Sequence, residues 1–156
     1  MKKNKQLPLR IGVGIVLLND LNNVFVGRRI DNPKNSWQMP QGGVDQNENF
    51  LDAAKRELEE ETGIKSVKLI KELDGWFKYD LPQYLLGKIW KGKYRGQKQK
   101  WFVMKFVGET DEINIKTKNP EFFDWKWIEF SKLPDIAVDF KADIYKKIKD
   151  ELKPLI

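Results

Sequence analysis

Neither cysteine nor histidine occurs among the 156 residues of this chain. Without thiol or imidazole, disulfide frameworks, zinc sites built on Cys or His, thiol nucleophiles and every triad that relies on imidazole are excluded. Any catalysis must run on carboxylates, amines, hydroxyls, water or a bound metal ion. Long apolar runs are missing as well, so no segment of the sequence reads as membrane-spanning. What is present is charge, with 29 Lys and Arg against 23 Asp and Glu for a net +6, and an aromatic content of 12%. The length fits one domain around a single core.

The N-terminus superficially resembles a secretory signal, since Lys2, Lys3 and Lys5 precede the apolar run Ile11 to Leu18. That run contains Gly12 and Gly14 and ends at Asn19 and Asp20 with no small-residue cleavage site, so it reads as a core strand of a cytoplasmic protein. Val24 to Arg28 pairs with it as a hairpin across turn residues Asn19 to Asn23. Asp31 to Ser36 reads as a polar loop around Pro33, Trp37 to Met39 as a short strand stopped by Pro40, and Gln41 to Gly43 as a flexible loop. A helix is expected from Phe50 to Thr62, with Asn49 as N-cap and Gly63 as the C-terminal stop. Val67 to Leu73, Trp76 to Tyr79, Trp101 to Val107 and Trp125 to Phe130 read as strands, and Phe140 to Leu152 as a last amphipathic helix. Strands with one central and one terminal helix imply a mixed α and β fold with helices packed on a sheet.

The central helix carries the chemistry. At 3.6 residues per turn, Glu57, Glu60 and Glu61 fall within an arc of about 100°, beside the apolar stripe of Phe50, Leu51, Ala54 and Leu58. This is locally unfavourable, because Glu57 and Glu61 are a like-charge i,i+4 pair and Glu60 and Glu61 sit at the negative end of the helix dipole. Arg56 could serve Glu60 four residues on, or reach back to Glu48 in the preceding loop. A divalent cation would relieve both penalties, and carboxylates without imidazole or thiolate favour Mg²⁺ or Mn²⁺. A solvated acidic face is the alternative for three glutamates taken alone.

The whole pattern decides between them. Gly42-x5-Glu48-x7-Arg56-Glu57-Leu58-x-Glu60-Glu61-x-Gly63-Ile64 resembles the Nudix hydrolase signature at every fixed position. The resemblance implies an α/β fold, a Nudix-type α/β/α sandwich with a central mixed β-sheet. It implies hydrolysis of a nucleoside diphosphate linked to another group, with Mg²⁺ or Mn²⁺ and a water nucleophile. By that likeness Glu57, Glu60 and Glu61 hold metal, Glu57 or Glu60 doubles as general base, and Gly42 offers its carbonyl. Glu48, Arg56 and Gly63 would brace loop and helix.

The flanks bear on the substrate. Between Lys88 and Lys105 there are seven Lys or Arg and no acid, interleaved with Trp90, Tyr94, Trp101 and Phe102. Such a mixture suits polyphosphate or single-stranded nucleic acid; a solvated loop running into a strand with one of Trp101 and Phe102 in the core is the alternative. Ser36 to Gly43, Tyr79 to Pro82, Arg95 to Phe102, Asn119 to Phe122 and Val138 to Lys141 resemble the bacterial RNA pyrophosphohydrolase branch of the Nudix family, which also includes diadenosine polyphosphate hydrolases. The expected substrates are then 5′-triphosphate RNA ends, dinucleoside polyphosphates, or both, with neither membrane nor DNA as partner. Another Nudix activity, on the nucleotide pool or ADP-ribose, or a non-enzymatic nucleotide or RNA binder on the same scaffold, are the alternatives. The resemblance makes Glu121 a further metal ligand or base candidate from outside the helix. It gives Arg10, Arg28 and Ser36 to phosphates or first nucleotides, and Gln41, Gln97 and Lys98 to the cleft lining. Tyr79 and Arg95 go to the polyphosphate, and Val138, Phe140 and Lys141 to a base, with Phe140 stacking. Read alone, Glu121 is a surface acid, Tyr79 a half-buried strand tyrosine and Phe140 a core anchor.

Overall fold

The computed structural model describes residues 7–30 and 36–156. Lys2, Lys3 and Lys5, and all of the expected Pro33 loop except Ser36, lie outside the described residues.

The apolar run near the N-terminus is strand β1 (Leu9–Leu18), and both of its faces are buried. Val13, Ile15 and Leu17 point to one side and Val16 and Leu18 to the other, as the two-residue period of a strand requires. The continuous apolar run therefore marks a central strand with layers above and below. β1 runs parallel to β6 (Gly96–Phe106) along its whole length, from Leu9 opposite Gly96 to Leu18 opposite Lys105. On its other side it pairs antiparallel with β2 (Asn23–Arg29) only at Leu18 and Val24, then with β3 (Gln41–Gly43) at Gly12 to Gly14. β4 (Val67–Glu72) and β5 (Phe77–Asp80) both lie antiparallel against β6, and β7 (Phe122–Glu129) against β2. The result is a seven-stranded mixed sheet in the order β4-β6-β1-β2-β7, with β3 beside β1 and β5 beside β6.

One helix covers each face. α1 (Phe50–Thr62) buries Ala53, Ala54 and Leu58 against Val13, Ile15, Leu17, Phe25, Phe102 and Met104. Asn49 caps it, its side chain accepting the Asp52 N–H, and Gly63 ends it at φ 74°, a left-handed conformation that a side chain would strain. After a single turn, α2 (Leu133–Ile136), α3 (Ala142–Leu152) places Ile144, Tyr145, Ile148 and Leu152 against Val16, Leu18, Val24, Val26, Trp101 and Val103. This is the expected α/β architecture, two helical layers around a mixed sheet. Among the described residues no helix is long and apolar enough to cross a membrane.

Several local readings change. Gln41 to Gly43 is a strand and not a flexible loop, while Trp37 to Met39 contributes only the single bridge between Gln38 and Gly27. Pro40 has no N–H to give a ladder, but its carbonyl accepts the Ile15 N–H at 3.0 Å and so delivers the next residues to β1. β6 begins five residues before the expected Trp101, so the basic stretch enters the sheet. Trp101 and Phe102 are both buried, on opposite faces, because each face has its own helix. The last helix begins at Ala142, and Asp139–Lys141 forms a 3₁₀ turn ahead of it.

Candidate active site

Away from their pairing at Leu18 and Val24, β1 and β2 part company, and Gln38 to Gly43 fill in between them, Gln38 bridging Gly27 and β3 pairing with β1; a cleft of about 670 Å³ is lined there by residues of β1, β2, β3, α1, β5 and the segment before α3. Of the side chains singled out in the sequence, Arg10, Ser36, Gln41, Gly42, Glu57, Glu60, Glu61, Tyr79, Glu121, Val138, Phe140 and Lys141 line it.

The acids sit in two environments. Glu61 is buried, its Oε1 accepting the Gln41 N–H at 3.2 Å. Burial raises its pKa well above the usual range, and the nearby Glu57 and Glu121 carboxylates add to the rise. Glu57 is raised to about 7, first by burial and then by the repulsion of Glu60, against the opposing pull of Arg56. Glu60 is more open to solvent. Glu121 precedes β7 and faces the Arg29 guanidinium at 3.7 Å. Four carboxylates from two parts of the chain thus line one cleft, and their neighbours' charge adds to the effect of burial at Glu57 and Glu61.

Arg56 ties this arrangement together. Its Nε and Nη2 donate to the two Glu48 oxygens at 2.8 and 3.0 Å, Nη2 also to the Gly43 carbonyl at 2.9 Å, and Nη1 to Glu57 at 3.1 Å and Glu60 at 3.2 Å. The sequence left Arg56 a choice between Glu48 and Glu60, and it takes both. Glu48 is held below its usual pKa by Arg56 and by the Asp45 N–H, and Arg56 is raised by the same contact. Loop, β3 and α1 therefore share one guanidinium. Arg56→Ala is expected to lower the unfolding free energy by about 2–3 kcal/mol in urea denaturation, a value reduced for partial exposure. Arg56→Lys should recover only part of it, because a single ammonium cannot make the bidentate contact.

Among the described residues no three acids form a cation cage as they stand. Arg56 Nη1 reaches Glu57 and Glu60, and Gln41 N–H reaches Glu61. The donor set nevertheless fits a hard divalent ion: oxygen ligands only, two of them, Glu57 and Glu61, pushed toward protonation first by burial and then by a neighbouring carboxylate, Glu60 for Glu57 and Glu57 for Glu61.

Beneath the cleft a layer of buried polar groups sets the wall. Gln97 is fully buried; its Oε1 accepts from Arg10 Nη1 at 2.8 Å and its Nε2 donates to Tyr79 Oη at 2.9 Å. Gln99 is likewise buried, donating to Gln41 Oε1 and accepting from Trp101 Nε1, both at 3.0 Å. Gln97 thus stands behind Arg10 and Tyr79 and does not line the cleft itself. Burial raises the Tyr79 pKa, so its hydroxyl stays protonated. Lys141 is buried too, its Nζ donating to Gln38 Oε1 at 3.2 Å and lying over the Tyr79 and Phe140 rings. Phe140 packs on the α3-side core and also lines the cleft.

Three expected contacts fall elsewhere. Lys98 points to the opposite face of β6 from Gln97, where it lies 4.8 Å from the Trp76 ring. Arg95 pairs with Asp80 at 2.8 Å just before β6 and is not in the cleft wall. Arg28 shares the side of Val24 and Val26 and lies over the Trp37 and Phe123 rings, while Arg29, on the side of Phe25, lines the cleft in its place. Tyr84, Leu85, Ile89 and Trp90 also line the cleft, and the sequence reading did not assign them there. Trp90 carries Arg10 5.2 Å from its ring centroid, and the only signal for it was the aromatic spacing of the basic segment.

Residues 8–148 match the family described as NUDIX domain. An RNA pyrophosphohydrolase of Pelagibacter ubique is 62% identical over 100% of this chain and 99% of its own. Another RNA pyrophosphohydrolase, of Bartonella bacilliformis, is 48% identical over 97% and 96%. Among solved structures, the E. coli dihydroneopterin triphosphate pyrophosphohydrolase superposes with a TM-score of 0.72 at 19% identity, covering 92% of this chain and 99% of its own. A C. elegans Ap4A hydrolase does so with 0.67 at 21%, covering 94% and 99%. At those identities the structural likenesses speak to the fold.

Proposed function

The chain belongs to the NUDIX domain family, and on that premise we propose that it is a divalent-metal-dependent pyrophosphohydrolase. Its substrates on this reading are 5′-triphosphate RNA ends, from which it removes pyrophosphate, and dinucleoside polyphosphates. The observation that carries the chemistry is the convergence of Glu57, Glu60, Glu61 and Glu121 in one cleft beside Arg10 and Arg29. The RNA assignment rests on the 62% identity, over the full chain, to a protein named RNA pyrophosphohydrolase.

Glu57, Glu60 and Glu61, with the Gly42 carbonyl and Glu121, would hold the cation, Mg²⁺ or Mn²⁺. When bound, such an ion neutralises the polyphosphate and makes water a better nucleophile. The rest falls to side chains. Arg10, fixed by Gln97 and Trp90, and Arg29, fixed by Glu121, offer guanidinium forks to phosphate oxygens. On this reading Glu57, facing the cleft beside Glu60, takes a proton from water at its carboxylate oxygen. Phe140, Val138 and the ammonium of Lys141 offer a stacking face and a donor to a base. Gln97 and Tyr79 act from behind, holding the wall. The surroundings we infer are cytoplasmic, where such substrates are made.

The test sets triphosphorylated RNA beside diadenosine tetraphosphate, with Mg²⁺ and then Mn²⁺, and compares kcat/KM. Pyrophosphate released from RNA ends supports the reading. Cleavage of ADP-ribose with neither of the two substrates touched would overturn it.

A further inference from the structure

The polar residues at the start of β6 divide by strand parity. Gln97 and Gln99 face inward below the cleft, whereas Lys98 and Lys100 stand on the other face of the sheet. There the two ammonium groups lie 4.8 and 4.7 Å from the ring centroid of Trp76, which is braced edge-on by Phe50 at the start of α1. Lys78, opposite Lys98 on the neighbouring β5, is exposed, and so is the side chain of Ile11, opposite Lys98 on β1. Asp80, the acid at the end of β5, is paired to Arg95. This face joins three lysines to a tryptophan and an isoleucine; Lys78 and Ile11 are exposed, and Trp76, Lys98 and Lys100 are half-buried.

We propose that this Trp76–Lys78–Lys98–Lys100 face is an exosite for the single-stranded body of an RNA whose 5′ end occupies the cleft. The inference rests on the RNA reading given above. Ammonium groups gathered over an aromatic ring offer what a phosphodiester chain with unstacked bases asks for: neutralisation by lysine and a flat apolar surface for a base. A compact dinucleoside polyphosphate gains nothing from it. The face belongs to the strands that wall the cleft, for Tyr79 lines the cleft while its neighbour Lys78 points the other way, and Gln97 supports Arg10 while Lys98 points the other way. A strand leaving the cleft around the β5 edge therefore meets the lysines after crossing one sheet thickness. β5 is short and, among the described residues, pairs only with β6. A solvated basic surface with a packed tryptophan would hold the same charges; it would not discriminate between substrates by length.

The experiment uses Lys78→Gln with Lys100→Gln in the full chain. Against a triphosphorylated RNA of some twenty nucleotides, the double variant is expected to lose about ten-fold in kcat/KM, chiefly through KM. Turnover of diadenosine tetraphosphate and of a triphosphorylated dinucleotide should stay at the wild-type rate. A second arm measures binding of 5′-hydroxyl single-stranded RNA, which offers no triphosphate to the cleft. The variant should bind it more weakly, with a salt slope smaller by about 1.4, as for two lost phosphate contacts. Equal loss on long and short substrates, or undiminished binding of the 5′-hydroxyl RNA, overturns the exosite. Failure of the wild type to process triphosphorylated RNA overturns the reading on which it rests, and the binding arm still decides the exosite.

Discussion

Glu61→Gln is expected to reduce metal-dependent turnover by about 10²- to 10⁴-fold while leaving the fold intact, and Glu57→Gln to do the same. The amide keeps the shape of the acid and removes the charge that both would bring to a cation. Glu61 is buried and accepts the Gln41 backbone N–H, so Gln can accept that bond in its place. Stability should move the opposite way from activity. Both acids have a raised pKa in the folded state, so between the unfolded value near 4.5 and the folded value, about 7 for Glu57, the folded chain holds protons that the unfolded chain has released. Their contribution to stability is present at low pH and lost as pH rises through the folded pKa. Without divalent ions, the wild-type Tm should therefore fall between pH 5 and pH 8, the fall should flatten in Glu61→Gln, and Mg²⁺ should raise the wild-type Tm more at pH 8 than at pH 5. A Tm profile unchanged by the substitution, or retained turnover in both variants, would remove these acids from the metal site.

The sequence made some parts of this molecule easy to read, and the reason is local. Asn49, Asp52 and Gly63 bound α1 because a cap and a left-handed stop are interactions of neighbouring residues, visible without any fold. The apolar run of β1 announced a strand buried on both faces. Gln41 to Gly43 read as a loop because two glycines carry no periodic signal, and their place in the sheet is fixed by contacts made far along the chain, with β1. The start of β6 was hidden in the same way. Its buried Gln97 and Gln99 look like exposed polar residues until Arg10, Tyr79 and Gln41 supply their hydrogen bonds. In the site, spacing on one helix brought Glu57, Glu60 and Glu61 to one side, whereas choosing Arg29 over Arg28, or placing Lys98 away from the cleft, needed strand parity across a whole sheet. The resemblance to Nudix hydrolases named the acids; the topology decided which cations face them.

Gly42→Ala is expected to lower activity nearly as far as the loss of Glu57, by about 10²-fold, with little change in stability. A methyl group built at Gly42 would fall inside the Glu57 carboxyl group, so the glycine exists at this position to let that side chain lie flat against β3. The obstacle is the far end of a flexible side chain and not backbone, and Gly42 has an ordinary negative φ, so the strand can accept alanine while Glu57 swings aside. The substitution thus moves a carboxylate without removing it. Its signature is non-additivity: if Gly42→Ala acts by displacing Glu57, then adding it to Glu57→Gln should cost little further activity. A double variant whose loss in kcat equals the product of the two single losses would show that Gly42 acts by another route, and that its carbonyl, rather than the room it leaves, is what the site uses.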